Sequence, residues 1–306
     1  MFSVNSKKVY VLPPGEDWII DRFVKEWNED NADISVSRPR DADVIWLLAD
    51  FCWQHIANQL YGKKVLTTVH HIVPEKFGPR ERMDFQLRDD VTTAYHVYNQ
   101  RVLDFIRPLT TKPIHLIPYW ANQKIWRPTA PREELRKKHG LPLDAYLIGS
   151  FQRDTEGSDL KSPKLEKGPD LLADAIIAYN EKGKEYFPTQ VVLAGWRRQY
   201  IMKRLDEAKI KYHYFELPKQ HVINELYQTL DLYPVTARTE GGPQALIECG
   251  LLNVPMVSRP VGVAEQVLPP SAIAEDVAMA APHVPNVESM LLPSGYEPYR
   301  KLIESL

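Results

Sequence analysis

The chain has 306 residues, of which 44% are hydrophobic and 25% charged, with 25 prolines and a formal charge of -2. One hydrophobic core rarely grows past roughly 250–300 residues, so two domains are expected, and the ordinary composition argues against extended disorder. The near-neutral charge provides no global basic field, so nucleic acid is not the expected partner.

The two cysteines, Cys52 and Cys249, have no CxxC spacing and no dense disulfide pattern, and are read as reduced thiols of a cytoplasmic protein. Residues 1–20 lack a basic stretch followed by an apolar core, and no run approaches the ~18 apolar residues of a membrane span. Peripheral membrane contact stays open, because RRQYIMKRLDEAKIKY (197–212) carries several basic residues on a helical pattern; a solvated helix face is the plainer account of such a run.

In chain order, short apolar runs expected to be strands occupy 8–13, 33–37, 43–49, 64–70, 93–98 and 114–118. Between the first two, residues 17–30 place Ile19, Ile20, Phe23, Val24 and Trp27 at helical spacing, with Asp17 as a candidate N-cap. Prolines 118, 128, 131 and 142 then interrupt the alternation, which restarts at AYLIGSF (145–151). A linker is therefore expected at 121–142, between a first domain over 1–128 and a second over 143–306, whose last helix could pack back on the first. Further strands are expected at 190–196, 211–217, 230–236 and 254–260, with helices near 169–182, 197–209, 220–229 and 242–252. Strands alternating with helices imply α/β units with parallel sheets, which bind ligands at the carboxyl ends of their strands. Two such doubly wound, Rossmann-like units facing across a cleft are the expected architecture.

The most informative stretch is TEGGPQALIECGLLNVPMVS (239–258), read as a strand end, a Gly-Gly turn, a helix and another strand. Gly241 and Gly242 can adopt φ > 0 and let the backbone approach a ligand, and the following helix start attracts anions. If that helix starts near Gly242, then Gln244 and Glu248 share one face, with Pro243 at its entry and Glu240 just before it. Carboxylates beside an anion site suit hydrogen bonds from sugar hydroxyls, one from a ribose and one from a transferred sugar.

Glu240 and Glu248 bracket seven residues, and the run EGGPQALIECGLLNVPMV resembles the Glu-x7-Glu motif of retaining glycosyltransferases of the GT-B architecture, family four. IGSFQRDTEGSDLKSPKLEKGPDLLADAI (148–176) resembles that family's strand, Arg and Lys-Gly pattern, which makes Arg153 and Lys167 the candidate diphosphate ligands. The insertion between them is longer than usual in the family and leaves 154–166 open, with a lid as one possibility. IPYWANQKIWRP (117–128) resembles the interdomain segment, with Tyr119-Trp120 replacing its Asn-Gly, and VGVAEQVL (261–268) resembles the segment after the next strand. TVHHIVP (68–74) resembles the histidine-bearing strand end that faces the donor sugar, with His70 at that position. The acceptor half is less similar: LPPGEDW (12–18) has one glycine where relatives have a pair.

The resemblance implies a retaining, metal-independent hexosyltransferase without a cofactor, using a nucleoside diphosphate sugar as co-substrate and an acceptor hydroxyl of unknown kind. Arg153 and Lys167 would hold the diphosphate, Gly241 and Gly242 would donate backbone N–H groups to it, Pro243 and Gln244 would line it, Glu240 would orient the sugar, Glu248 the ribose, and His70 the sugar from the other domain. Rival expectations are a sugar-nucleotide epimerase or phosphorylase of the same fold, or a non-catalytic sugar-binding scaffold. Asp41-Ala42-Asp43 matches a DxD metal motif in form but reads as a turn before a strand. Trp46, Trp53 and Trp120 could form a sugar platform, with core packing the plainer expectation.

Overall fold

The computed structural model describes residues 6–16, 19–183 and 187–306. It divides into two compact units, Met1–Trp120 with Leu292–Leu306, and Ala121–Leu291. No helix among the described residues is long and apolar enough to cross a membrane.

The first unit alternates β1 (Val9–Val11), α1 (Ile19–Asp30), β2 (Val44–Leu47), α2 (Ala57–Leu60), β3 (Lys64–Val69), α3 (Pro79–Val91), β4 (Ala94–Val97), α4 (Gln100–Ile106) and β5 (Ile114–Leu116). Its strands form one parallel sheet in the order β1-β2-β3-β4-β5. Every residue of β2 and β4 is buried, as is all of β3 after Lys64, so helices cover both faces and the strands are continuous apolar runs. The candidate N-cap Asp17 lies outside the described residues. The strand expected at 33–37 shrinks to a single bridge, Ser35 to Val9, with Val9 N–H donating to Ile34 O at 2.8 Å and Val36 N–H to Val9 O at 2.9 Å. It sits on the sheet edge with a neighbour on one side only, and Pro39 turns the chain into a short 3-10 helix directly afterwards. This edge segment puts the reversal of winding between β1 and β2, as in a doubly wound sheet.

Aromatic packing fills one side of that sheet. Trp27 meets Trp46 edge-on at 5.0 Å, and Trp46 stacks on Tyr299 at 5.4 Å. Tyr299 belongs to the closing helix of the chain, Glu297–Ser305, which is thereby part of the first unit. Trp120 is buried, and its Nε1 donates to the buried Glu26 carboxylate at 2.7 Å; Trp53 donates to Asp84 at 3.0 Å. All three tryptophans thus belong to the core rather than to a sugar platform, as burial worth about 1.5–3 kcal/mol per large apolar side chain favours.

The second unit contains α5 (Arg132–Lys138), β6 (Tyr146–Ser150), β7 (Thr155–Glu156), β8 (Ser162–Pro163), α6 (Pro169–Gly183), β9 (Thr189–Ala194), α7 (Gln199–Glu207), β10 (Tyr212–Phe215), α8 (Gln220–Gln228), β11 (Tyr233–Val235), α9 (Gln244–Leu252), β12 (Met256–Ser258) and α10 (Ala264–Val267). The final helix, named above, is α11. Strands β10-β9-β6 form one parallel ribbon and β11-β12 another. A bridge from Ile148 to Leu232 joins them, and Ser258 bridges to Ile273 beyond. In order of appearance the strands therefore lie 3-2-1-4-5-6, the order of a Rossmann-like sheet, with the switch point between β6 and β11. Gly149 lets these two strands close up, since a Cβ there would overlap the Leu230 side chain. Beneath them Ile148, Leu172, Ile176, Val191, Leu193 and Leu205 form the apolar core.

The insertion at 154–166 is a small antiparallel hairpin, β7 against β8, closed at its base by Lys164 N–H donating to Asp154 O at 2.8 Å.

Candidate active site

The carboxyl ends of β6 and β11 flank the switch point, and the loops leaving them carry most of the candidate residues. After β6 the chain runs through Arg153 and the hairpin to a 3-10 turn, Leu165–Lys167, which ends on Gly168 in the left-handed region at φ +63°. A Cβ at Gly168 would collide with the Thr236 carbonyl, and Thr236 Oγ1 donates to Gly168 O at 2.9 Å. Only glycine fits both constraints. The loop after β11 is tied to the same turn: Arg238 N–H donates to Glu166 O at 2.8 Å, and the Arg238 guanidinium clasps Asp170 with both nitrogens, at 2.8 and 2.6 Å. This clasp holds the Asp170 carboxyl below the usual carboxylate range, through the Arg238 hydrogen bonds.

The consequence is that Lys167 and Glu240, far apart in sequence, form a direct ion pair, Lys167 Nζ to Glu240 Oε1. Lys167 therefore carries a carboxylate partner in this structure. Gln152 ties the loop after β6 to this turn, its Nε2 donating to Lys167 O at 3.0 Å. Next to it, Arg153 is partly buried, donates Nε–H to Thr155 O at 3.1 Å and forms no ion pair among the described residues.

Helix α9 begins at Gln244 rather than near Gly242, because Pro243 stands at the cap position and supplies no side-chain cap. A helix start concentrates N–H groups and the positive end of the dipole, the setting in which anions bind, and within this turn Leu246 N–H donates to Pro243 O at 3.0 Å. The left-handed glycines here are Gly168 and Gly262 (φ +59°) rather than the Gly241-Gly242 pair. A Cβ on Gly262 would lie 2.9 Å from Gly242 Cα and 2.5 Å from Pro243 Cδ. Two backbones meet there, and the small residues on both sides are what let them.

Glu248 lies one turn into α9, is buried, and accepts the Tyr227 hydroxyl at 2.8 Å. Burial, reinforced by this carboxylate, raises the pKa of both Tyr227 and Cys249 well above their ordinary values, so both stay protonated. Phe151 and Tyr233 pack on the Tyr227 ring at 4.6 and 5.4 Å, and the Tyr233 hydroxyl accepts Phe151 N–H at 2.9 Å.

His70 stands in the first unit, at the end of β3. Its Nε2 lies 2.7 Å from Leu48 O, its ring packs on Tyr98 at 5.1 Å, and burial lowers its pKa. The backbone carbonyl fixes Nε2 as the protonated nitrogen and leaves Nδ1 as the acceptor. Asp41 is bound by Arg38 at 2.6 Å and Asp43 accepts Lys8 N–H at 2.8 Å. Among the described residues no group of three or more His, Cys, Asp or Glu is gathered for a metal ion. Cys52 and Cys249 are buried and unbridged.

One buried ion pair is invisible in the pattern of charges along the chain. Arg198, inside the basic run 197–212, is fully buried and bonds Asp154 at 2.5 Å, with further bonds to the Ser150 and Ala194 carbonyls. It pins the base of the hairpin to the ends of β6 and β9. Arg204 in the same run pairs with Asp174 at 2.7 Å, and Ile201 and Leu205 face the core. Most of that helix is thus committed to packing within its own unit.

No protein-family model and no curated protein matches the sequence. Solved structures do match in shape. HepE of Anabaena, solved with UDP and glucose and also with UDP-glucose, superposes at TM-scores of 0.69 and 0.67 with 12% and 13% identity; the first superposition covers 89% of this chain and 88% of that one. Sucrose-phosphate synthase from Thermosynechococcus elongatus gives 0.60 at 15% identity, over 94% of this chain and 73% of that one. WaaG, a glycosyltransferase of lipopolysaccharide biosynthesis, gives 0.57 at 13% identity, over 83% and 81%. The chain therefore has the GT-B fold of these proteins, built from two Rossmann-like α/β units.

Proposed function

We propose that the chain transfers a hexosyl unit from a nucleoside diphosphate sugar to an acceptor hydroxyl, with retention at the anomeric carbon and without a metal ion. The observation that carries this reading is the Lys167–Glu240 pair, with Gln152 bonded to Lys167 O and Arg153 next to Gln152 in the chain, on the loops leaving the sheet's switch point and just before the start of α9. Fixed cations and backbone donors are what a departing diphosphate needs when no metal meets its charge. A carboxylate touching one of those cations is placed to accept a sugar hydroxyl while the cation turns to phosphate. The same fold in HepE holds UDP and UDP-glucose.

In this reading Arg153 and Lys167 bind the diphosphate, the Gly241 and Gly242 amides add donors at its near side with Pro243 and Gln244 lining it, Glu240 orients the transferred sugar, and Glu248, kept in place by Tyr227, accepts from the ribose. The bond from C1 to the diphosphate oxygen breaks, a bond from C1 to the acceptor oxygen forms on the same face, and the acceptor proton passes to the departing phosphate oxygen. No side chain is needed as nucleophile.

Acceptor-dependent release of nucleoside diphosphate is the test. Turnover should survive EDTA and fall by about a hundredfold in Glu240→Ala, the size of a lost transition-state donor or acceptor. Loss of all turnover on chelation would overturn the metal-free site. Donor conversion without any acceptor requirement would point to an epimerase, and binding without turnover to a scaffold.

A further inference from the structure

Trp196 follows β9 and is 45% exposed, unlike the buried tryptophans of the first unit. The Arg153 guanidinium carbon lies 5.1 Å from its ring centroid and that of Arg197 lies 4.9 Å away. Arg197 is itself held, with φ +55°, its carbonyl accepting the Asp154 and Thr155 amides and its Nη1 donating to Gly157 O at 3.1 Å. Below, the Asp154–Arg198 pair fixes both loops to the sheet. Arg153 thus has one nitrogen on the Thr155 carbonyl and an indole beside its guanidinium, while its two terminal nitrogens have no hydrogen-bond partner among the described residues. An ordinary surface arginine would sample many rotamers and lose that freedom on binding an anion.

We infer that Trp196 is a positioning residue, whose indole and the Thr155 carbonyl together hold Arg153 with its two terminal nitrogens presented to the diphosphate. This rests on the donor-site reading above, and it deepens that reading by naming what orients the cation. An aromatic so placed acts on the phosphates alone, through Arg153, and has no reason to affect the nucleoside. Arg197 tethers the hairpin under the same ring and so keeps the platform still.

The test uses the intact chain with UDP, GDP and ADP as probes, taking the tightest-binding diphosphate and its nucleoside. An exposed cation–π contact corresponds to about a threefold change in affinity. Trp196→Ala should weaken the diphosphate by about threefold and leave the nucleoside unchanged, while Trp196→Phe restores most of the loss. In an Arg153→Ala background, Trp196→Ala should have no further effect. Equal losses for diphosphate and nucleoside, or an additive loss on top of Arg153→Ala, would overturn the inference. An unchanged melting temperature without ligand checks that the variants are folded. Wild type that binds none of the three diphosphates would remove the donor site itself, a result distinct from either of these.

Discussion

Glu240→Gln separates two properties that a simple loss of function would move together. In the free protein Glu240 neutralises Lys167. Unit charges ~4 Å apart at an effective dielectric of ~20 interact by about 4 kcal/mol. The side chains are 25% and 14% exposed, so solvent screening brings the net effect toward about 1 kcal/mol. The substituted amide keeps the shape of the carboxylate and removes its charge, which frees Lys167 for an anion. Nucleoside diphosphate should therefore bind about fivefold tighter to Glu240→Gln, measured by titration calorimetry. Sugar transfer should fall at the same time by about 10- to 100-fold, because a hydrogen bond to a charged acceptor is worth about 1.5–3 kcal/mol. Lys167→Ala should lower both, since it leaves Glu240 uncompensated beside the diphosphate. If Glu240→Gln weakens diphosphate binding in step with turnover, the pair does not gate the site as described.

Gly168→Ala should destabilise the protein by about 2–3 kcal/mol, from a left-handed backbone and overlap with the Thr236 carbonyl, read as a lower urea midpoint with unchanged slope; a change below about 0.5 kcal/mol would contradict the fit. Asp154→Ala leaves a fully buried Arg198 without its carboxylate and should cost about 3–5 kcal/mol by the same assay, against an unchanged midpoint if the pair contributes nothing. His96 is wholly buried, with Nδ1 2.9 Å from Thr68 Oγ1 and Nε2 3.0 Å from Ile117 O, and burial lowers its pKa to about 3. Its folded pKa lies below that of the unfolded chain, so its contribution is complete above pH ~6.5 and is lost as pH falls toward 3, by about 1.4 kcal/mol per pH unit. The His70 pKa is lowered in the same direction. Unfolding followed from pH 7 to 5 should show the loss, with a shallower slope in His96→Gln; parallel slopes would refute it.

Much of the fold was legible because buried parallel strands are unbroken apolar runs: β2, β3, β4, β6 and β9 all lie within a residue or two of where such runs stand in the sequence. Residues 33–37 have the same apolar alternation but an edge position, and edge pairing cannot be read from one strand alone. Helix α9 starts two residues late because Pro243 takes the cap. At the site, sequence brought forward Lys167 and Glu240 by resemblance, but not that they bond each other, which depends on how the Arg238 clasp folds one loop onto the other. Arg198 was hidden in a basic run because charge patterning does not distinguish an arginine facing solvent from one buried on Asp154. Trp196 carried no signal either; its meaning lies in the two arginines that share its ring.

In the proposed donor site a diphosphate is met by Arg153, Lys167 and the backbone amides just before and at the start of α9, at the switch point of the second sheet. A crystal structure with a nucleoside diphosphate bound tests it directly. Both phosphates should lie within hydrogen-bonding distance of Arg153 and of Lys167, with Lys167 released from Glu240. A nucleotide lodged elsewhere, with Lys167 still bonded to Glu240 and residues 241–244 out of its reach, would contradict it.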